Sequence, residues 1–225
     1  MSIYHDKQRA LQDAFDTRRL ADIIESNNLH LTFNPLDEAF IAAKDFFFLA
    51  TADASGKPSC SFKAGPAGFV RVVDERTLAF PCYDGNGMYL SMGNVLANPK
   101  IGMLFVDFEK PNRLRISGEA SITENDSLLA HYLEAQFIVR VAVTEIFLNC
   151  PRYIPKFKRV ADSPFVPVAG KETPFPNWKQ IDFVRETLPA RDREIAMQMP
   201  AIDIMDYIRI LKSPFTARRR SRSWH

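Results

Sequence analysis

Two stretches of the sequence decide the fold: residues 81–105 read PCYDGNGMYLSMGNVLANPKIGMLF, and residues 113–122 read RLRISGEASI. We expect the glycine-rich turn at residues 85–87 to open a short helix, which ends at residues 98–99 because proline cannot continue a helix. An apolar strand follows, and the second stretch alternates in polarity as a half-buried strand does. This order predicts a phosphate-binding helix end beside the wall of a small β-barrel.

The rest of the chain predicts further short elements around these stretches. Apolar periodicity predicts helices at residues 5–26, about 37–44, 123–137, 177–187 and 190–198. The third of these has Thr123 as its N-cap and Asp126 at the capping-box position. Runs bounded by turn residues predict strands at residues 46–53, 58–65, 69–73, 77–83, 101–108, 113–122 and 139–150. Short strands with helices between them favour an antiparallel barrel over a parallel sheet.

Composition and charge exclude several classes of protein. The 225 residues are 46% hydrophobic and 25% charged, which is ordinary for a globular chain, and the net charge of +2 predicts no attraction to nucleic acid or membrane. Cys60, Cys82 and Cys150 are odd in number and far apart, so neither a disulfide framework nor a structural metal site is expected. The sequence contains no apolar run of 18 residues, so it predicts no membrane-spanning helix. We expect a cytoplasmic protein.

The helix after the glycine-rich turn carries the first candidate phosphate ligands. Its first turn has unpaired N–H groups, and Ser91 and Asn94 share one of its faces. The side chains expected to face the core are Met88, Met92, Val95 and Leu96. The alternative is an ordinary turn with two solvated polar side chains.

Basic side chains on the alternating strands are further candidates. Lys63 shares a strand face with Ser61, Arg71 lies on the next strand, and Arg115 shares a face with Arg113. One cation from each of three strands could converge on a dianionic phosphate. The alternative is an antiparallel sheet with one wet, charged face.

Taken together and in order, these motifs resemble the flavin-binding split-barrel family that includes pyridoxamine 5′-phosphate oxidase. The resemblance covers roughly residues 40–160 and is carried by GPAGFVRV, GNGM with the following GN and NP, LRISGEA, and NCPRYI at residues 149–154. It implies a mainly β fold with helices (α+β), a split antiparallel β-barrel. It also implies a homodimer that binds FMN in the crevice between its subunits.

The resemblance also implies a set of cofactor-binding residues. Strand and helix positions that match the family would hold the phosphate or line the flavin ring, and NCPRYI would close the site from the other subunit. The residues so implied are Ser61, Lys63, Arg71, Ser91, Asn94, Arg115, Asn149, Arg152 and Tyr153. The chain lacks the family enzyme's Arg-x-His element near the C-terminus and has Tyr89, Leu90 and Ser91 in place of its Ser-Arg-Lys triplet. Oxidation of vitamin B6 itself is therefore not expected.

Three classes of function stay open at this stage. The first is an FMN-dependent oxidoreductase that acts on a small organic molecule, with NADH or NADPH as a candidate electron donor. The second is a non-catalytic flavin- or haem-binding sensor or carrier, and a deazaflavin is a further candidate ligand. The third is an interaction module without a cofactor. The sequence indicates no catalytic acid or base and no metal ligands.

Changes in composition predict three segments. These are an N-terminal helical segment (residues 1–39), the split barrel (residues 40–160), and a proline-rich, helical C-terminal extension (residues 161–225). The extension ends in ARRRSRSWH. Such a basic tail either binds nucleic acid or an acidic surface, or is simply solvated.

Overall fold

An antiparallel sheet of eight strands dominates the computed structural model, which describes residues 2–212. The strands are β1 (Leu29–His30), β2 (Phe46–Ala52), β3 (Pro58–Ala64), β4 (Arg71–Asp74), β5 (Thr77–Tyr83), β6 (Lys100–Asp107), β7 (Asn112–Thr123) and β8 (Ala135–Asn149). The chain divides into two compact units, the first ending at Glu172 and the second beginning at Thr173. The arginine-rich tail lies outside the described residues, and the three predicted segments stay a prediction.

The order of the strands leaves the sheet open. It runs β3-β2-β6-β7-β8-β5-β4, with β1 added to β8, and every pairing between these strands is antiparallel. β3 and β4 are the two ends of this path and do not pair with each other. The antiparallel sheet, open between its end strands, confirms the predicted split-barrel fold class.

The core of the first unit is built on aromatic side chains from several strands. Phe47 of β2 is fully buried and its ring lies 5.8, 5.0 and 5.2 Å from the rings of Phe69, Phe80 and Phe105. Burial of one such side chain contributes about 1.5–3 kcal/mol. Because these rings come from β2, β5, β6 and the residues before β4, they hold both halves of the open sheet together.

Four helices belong to the first unit: α1 (Asp6–Ala14), α2 (Arg18–Asn28), α3 (Pro35–Ala42) and α4 (Leu90–Ala97). The prediction of one helix over residues 5–26 is wrong. Asp16 takes a left-handed backbone (φ 52°) and breaks the helix, and Arg9 pairs with Asp22 at 2.7 Å to hold α1 against α2. The predicted second helix is confirmed as α3, where the Asn34 side chain accepts hydrogen bonds from two backbone N–H groups.

The predicted helix over residues 123–137 is also wrong, because both of its ends lie in the sheet. Thr123 of β7 pairs with Ile138 of β8, and only a short 3₁₀ helix, Ser127–His131, forms between the two strands. Asp126 caps it by accepting from the N–H of Leu128. The Asp126 carboxylate also pairs with Arg140 of β8, so the strands override the local helical signal.

The second unit is helical. After a 3₁₀ helix at Asn177–Gln180 it contains α5 (Asp182–Arg185), α6 (Ala190–Gln198) and α7 (Ile204–Lys212). Lys179 is buried and donates to Asp192 of α6 at 2.5 Å. The predicted helix pair is confirmed in position, although the first member is split into two short turns. Across residues 2–212, no helix combines the length and apolarity that crossing a membrane requires.

We predict that Gly118→Ala destabilises the sheet. Gly118 lies at an irregularity in the β7–β8 register, and an added Cβ would be 2.6 Å from the Ala142 carbonyl oxygen and 2.7 Å from Val141 Cγ1. We expect the free energy of unfolding to fall by about 1–3 kcal/mol in urea denaturation.

Gly102→Ala is the matched control on β6, since the added Cβ would meet its nearest neighbour, Ala50 Cβ, at an ordinary 3.7 Å. Equal stabilities for the two variants would contradict the tight β7–β8 approach.

Candidate functional site

A cleft of about 240 Å³ opens where β3 ends the sheet. One wall comes from β3, another from the last residues of β5, and the third from the glycine-rich turn and the start of α4. The lining residues are Ser59, Cys60, Ser61, Lys63, Cys82, Tyr83, Gly85, Asn86, Gly87, Met88, Tyr89, Leu90, Ser91 and Met92. The cleft therefore includes the glycine-rich turn of the stretch that decides the fold.

The register of β3 brings its polar side chains to the margin of the core. Lys63 pairs with Phe47 and Ser61 pairs with Leu49, and directly opposed residues share one face of a sheet. Phe47 and Leu49 are fully buried, so Lys63 and Ser61 start from the core-facing side of β3. The edge position of β3 leaves this polar face without a further strand beside it.

Lys63 is a half-buried cation that lacks a counter-ion among the described residues. Its Nζ donates a hydrogen bond to Ser91 Oγ at 2.9 Å, and Ser91 is buried. Within residues 2–212 no carboxylate pairs with Lys63. Burial lowers the pKa of Lys63, and the nearby Cys82 thiol opposes that shift. Because an uncompensated buried charge is costly, the cleft favours an anion beside Lys63.

Ser61 adds an unused hydroxyl to the same cleft. Its Oγ is buried, and no hydrogen-bond partner is found for it among the described residues. Buried hydroxyls are normally hydrogen-bonded, so an orphaned one at a cleft marks a place where a polar ligand gains a bond. Together with Lys63 and Ser91 it forms a set of groups that can all donate to oxygen.

The glycine-rich turn delivers the start of α4 to the cleft. Gly87 has a φ of +73°, which only glycine adopts freely, and the Asn86 side chain accepts from the N–H of Met88. The helix begins at Leu90, later than the turn itself, after Tyr89 in a left-handed conformation with no side-chain cap. An anion at this end of the helix gains about 0.3–1 kcal/mol from the helix dipole.

Two of the four side chains predicted to face the core do so. Met92 and Val95 are buried, whereas Met88 and Leu96 are 61% and 75% exposed, so the prediction was wrong for these two. Met88 precedes the helix and follows the turn, and Leu96 lies on the outward side of α4. The exposed side chain of Met88 instead lines the cleft.

Asn94 anchors α4 and does not line the cleft. Its Nδ2 donates to Thr51 Oγ1 of β2 at 3.1 Å, and Thr51 is buried. This bond fixes the helix against the strand that pairs with β3. Thr51 was not foreseen, because a threonine in a strand gives no sign in the sequence of the helix that will lie against it.

Cys82 and Tyr83 also line the cleft and were not foreseen as site residues. Burial raises the pKa of the Cys82 thiol, and Lys63 partly opposes this. Burial, with smaller effects of Tyr132 and Glu134, raises the pKa of Tyr83 to about 12. Both groups therefore stay protonated near neutral pH and add no negative charge to the lining of the cleft.

The five remaining residues implied by the resemblance lie away from this cleft. The Arg71 guanidinium lies over the ring of Tyr132, 5.0 Å from its centroid, and Arg115 lies over the ring of Phe147 at 5.5 Å. Neither lines the cleft. The structure thus brings Lys63, Ser61 and Ser91 together but does not bring the three strand cations to one point.

The NCPRYI residues lie at the far end of β8 and just beyond it. Asn149 pairs with Arg113 in the sheet, and Asn149 Oδ1 and Arg113 Nε are both buried without a hydrogen-bond partner among the described residues. Arg152 and Tyr153 are exposed, Tyr153 almost completely. None of these side chains lines the cleft.

The chain is thus an open antiparallel split barrel with a cleft that is lined by the Lys63 ammonium and by serine hydroxyls. The chain belongs to the pyridoxamine 5′-phosphate oxidase family, whose model matches residues 33–161. That match covers more than half of the chain and includes all fourteen residues that line the cleft. A search of curated proteins found no match to the chain.

Solved structures with a similar fold include several small proteins of low sequence identity. HupZ of Group A Streptococcus is 21% identical, with 52% of this chain and 93% of that chain covered and a TM-score of 0.42. An FMN-binding protein of Syntrophomonas wolfei is 12% identical over 62% and 97% of the two chains, with a TM-score of 0.40. HutZ, the heme storage protein of Vibrio cholerae, is 18% identical, with 52% of this chain and 92% of that chain covered and a TM-score of 0.37.

Proposed function

We propose that this protein is a flavoprotein that holds the phosphate of FMN in the cleft between β3 and α4. The observation that carries the proposal is the half-buried ammonium of Lys63, which donates a hydrogen bond to Ser91. No carboxylate of residues 2–212 forms an ion pair with it. Lys63, Ser61 and Ser91 would hold the phosphate oxygens. A dianion gives a buried cation the partner it lacks and gives the orphaned Ser61 hydroxyl an acceptor.

The size of the cleft supports a site completed by a second subunit. Its volume of about 240 Å³ lies below the roughly 300–1,000 Å³ usual for ligand pockets. It could enclose a phosphate and its adjoining chain, and the flavin ring would need another wall. We infer a homodimer in which Arg115, Asn149, Arg152 and Tyr153 of one subunit contribute to the site whose phosphate end is Lys63 of the other.

The proposed activity is oxidation or reduction of a small organic molecule, with NADH or NADPH as electron donor. When bound, the flavin supplies hydride or single-electron transfer itself. The chain contributes binding and electrostatics: Lys63 fixes the phosphate end, and an arginine near the ring would stabilise its anionic reduced form. The lining of the cleft holds no carboxylate or imidazole. No general acid or base is therefore assigned.

The first test is the absorption spectrum of the purified protein, followed by FMN titration of Lys63→Met. We expect flavin bands and released FMN from the unaltered protein. Loss of one charge-assisted contact should weaken FMN binding by roughly 10- to 100-fold in Lys63→Met, while Lys63→Arg keeps most of the affinity. Lys57→Met, in the exposed turn before β3, is the matched control and should bind FMN normally.

Equal FMN affinity in Lys63→Met and Lys57→Met would rule out the proposed phosphate site. A Soret band in place of flavin bands would favour the haem-binding alternative. A colourless protein that does not take up FMN would favour the interaction module.

The second test asks whether residues of two subunits together form one FMN site. Lys63→Met and Arg115→Gln chains are each expected to bind FMN weakly. Unfolded together and refolded as a mixture, they form mixed dimers with one site that has both native residues, so about a quarter of the normal FMN capacity should return.

FMN binding in the mixture that equals the mean of the two separate variants would show that each subunit supplies its own site. Refolded unaltered protein serves as the control for recovery.

A further inference from the structure

One residue that lines the cleft has an unfavourable backbone conformation. Tyr89, between the glycine-rich turn and α4, is left-handed, with φ 47° and ψ 26°. This conformation is unfavourable for a residue with a Cβ, and it persists only where surrounding contacts hold it. The contacts of the Tyr89 side chain therefore identify what fixes the chain at the entry to the helix.

Two contacts to β8 hold the Tyr89 side chain. Its hydroxyl donates a hydrogen bond to Gln136 Oε1 at 2.9 Å, and its ring centroid lies 6.5 Å from that of Phe137. The Gln136 amide in turn donates to Asp84 Oδ1 at a long 3.5 Å. Asp84 directly precedes the glycine-rich turn and Tyr89 comes two residues after it. Gln136 therefore joins the two ends of the turn.

An irregularity in the sheet places Gln136 at this point. Cys82 of β5 pairs with Phe137 of β8. The next residue, Tyr83, pairs with Ala135, so β8 has one extra residue here, which is Gln136. Such a bulge redirects a side chain from the regular alternation of a strand, and bulges are frequent beside functional sites. The left-handed tyrosine and the bulge are two departures from regular backbone that meet in one hydrogen bond.

The backbone of Tyr89 sets the position of the groups that would bind an anion. Its carbonyl accepts a hydrogen bond of the first turn of α4, from the N–H of Gly93 at 2.7 Å. Ser91, whose hydroxyl accepts from Lys63, comes two residues after Tyr89. A change in the φ of Tyr89 would therefore move Ser91. The two glycines of the turn add no packing of their own, since a Cβ built on either would have no neighbour within 4 Å.

We propose that Tyr89 and Gln136 are positioning residues for the phosphate, because their hydrogen bond holds the glycine-rich turn so that Ser91 faces Lys63. This inference rests on the proposed phosphate site. Gln136 does not line the cleft and acts through Tyr89. Loss of the bond leaves every phosphate ligand present but releases Ser91 and the start of α4. The affinity for a phosphate-bearing ligand should then fall, and the affinity for the same ligand without its phosphate should not.

The test is a double-mutant cycle on FMN affinity. Tyr89→Phe keeps the ring and removes the hydroxyl, and Gln136→Met removes the acceptor at similar size. We expect each single variant to bind FMN about 3- to 10-fold more weakly, the usual net effect of one hydrogen bond. The double variant should bind no more weakly than either single variant, because both changes remove the same bond. Riboflavin, which lacks the phosphate, should bind to all three variants as it binds to the unaltered protein.

Tyr4→Phe is the matched control, because the Tyr4 hydroxyl donates to the carbonyl of Ala21, in the α1–α2 hairpin, and not to β8. This variant should bind FMN normally. Unchanged FMN affinity in Tyr89→Phe would overturn the inference and leave the phosphate site in place. Losses that multiply in the double variant, or equal losses for FMN and riboflavin, would do the same.

Inorganic phosphate separates this inference from the flavin proposal. Its binding is measured as stabilisation of the protein against heat. A protein that phosphate stabilises but that does not bind FMN would overturn the flavin proposal alone, and the same cycle on phosphate stabilisation then decides the inference. A protein that binds neither FMN nor phosphate would overturn both.

Discussion

The hydrogen bond between Lys63 Nζ and Ser91 Oγ is the contact on which the site depends. It joins β3, the free edge of the sheet, to the first turn of α4, and it places a cation in a half-buried cleft without a counter-ion among the described residues. An anion bound beside Lys63 would offset the cost of that arrangement. Ser61, on the same face of β3, has a buried hydroxyl that makes no hydrogen bond among the described residues.

The rest of the first unit serves to hold these two elements at this separation. The pairing of β3 with β2 fixes which side chains of β3 face inward, and the bond from Asn94 to Thr51 fixes α4 on β2. The aromatic core around Phe47 joins both halves of an open sheet, so the split persists as a cleft. A closed barrel would pair the free edge of β3 and leave less space for the cleft.

Local patterns in the sequence predicted seven of the eight strands, α4 and the shared face of Ser61 and Lys63, because alternation and turn chemistry are short-range signals. The two-residue strand β1 is too short to leave such a pattern. Contacts between distant residues were not predictable in this way. The ends of the helix expected over residues 123–137 belong instead to β7 and β8, and the pairing of these two strands depends on the whole sheet. Asn94 carries the polar pattern of a ligand, yet its partner is a threonine 43 residues earlier in the chain. The positions of Arg71 and Arg115 likewise follow from sheet order, which a single strand does not reveal.

The most direct measurement is the pH dependence of FMN affinity in the unaltered protein and in Lys63→Arg. A bound phosphate favours the charged form of Lys63, so affinity is lost as pH rises through the pKa of Lys63 in the free protein. Burial lowers that pKa, so the decline should begin below the ordinary lysine value of 10.5. Lys63→Arg stays charged and should retain its affinity across this range. An identical decline in both proteins would contradict the assignment of Lys63 as the group that holds the phosphate.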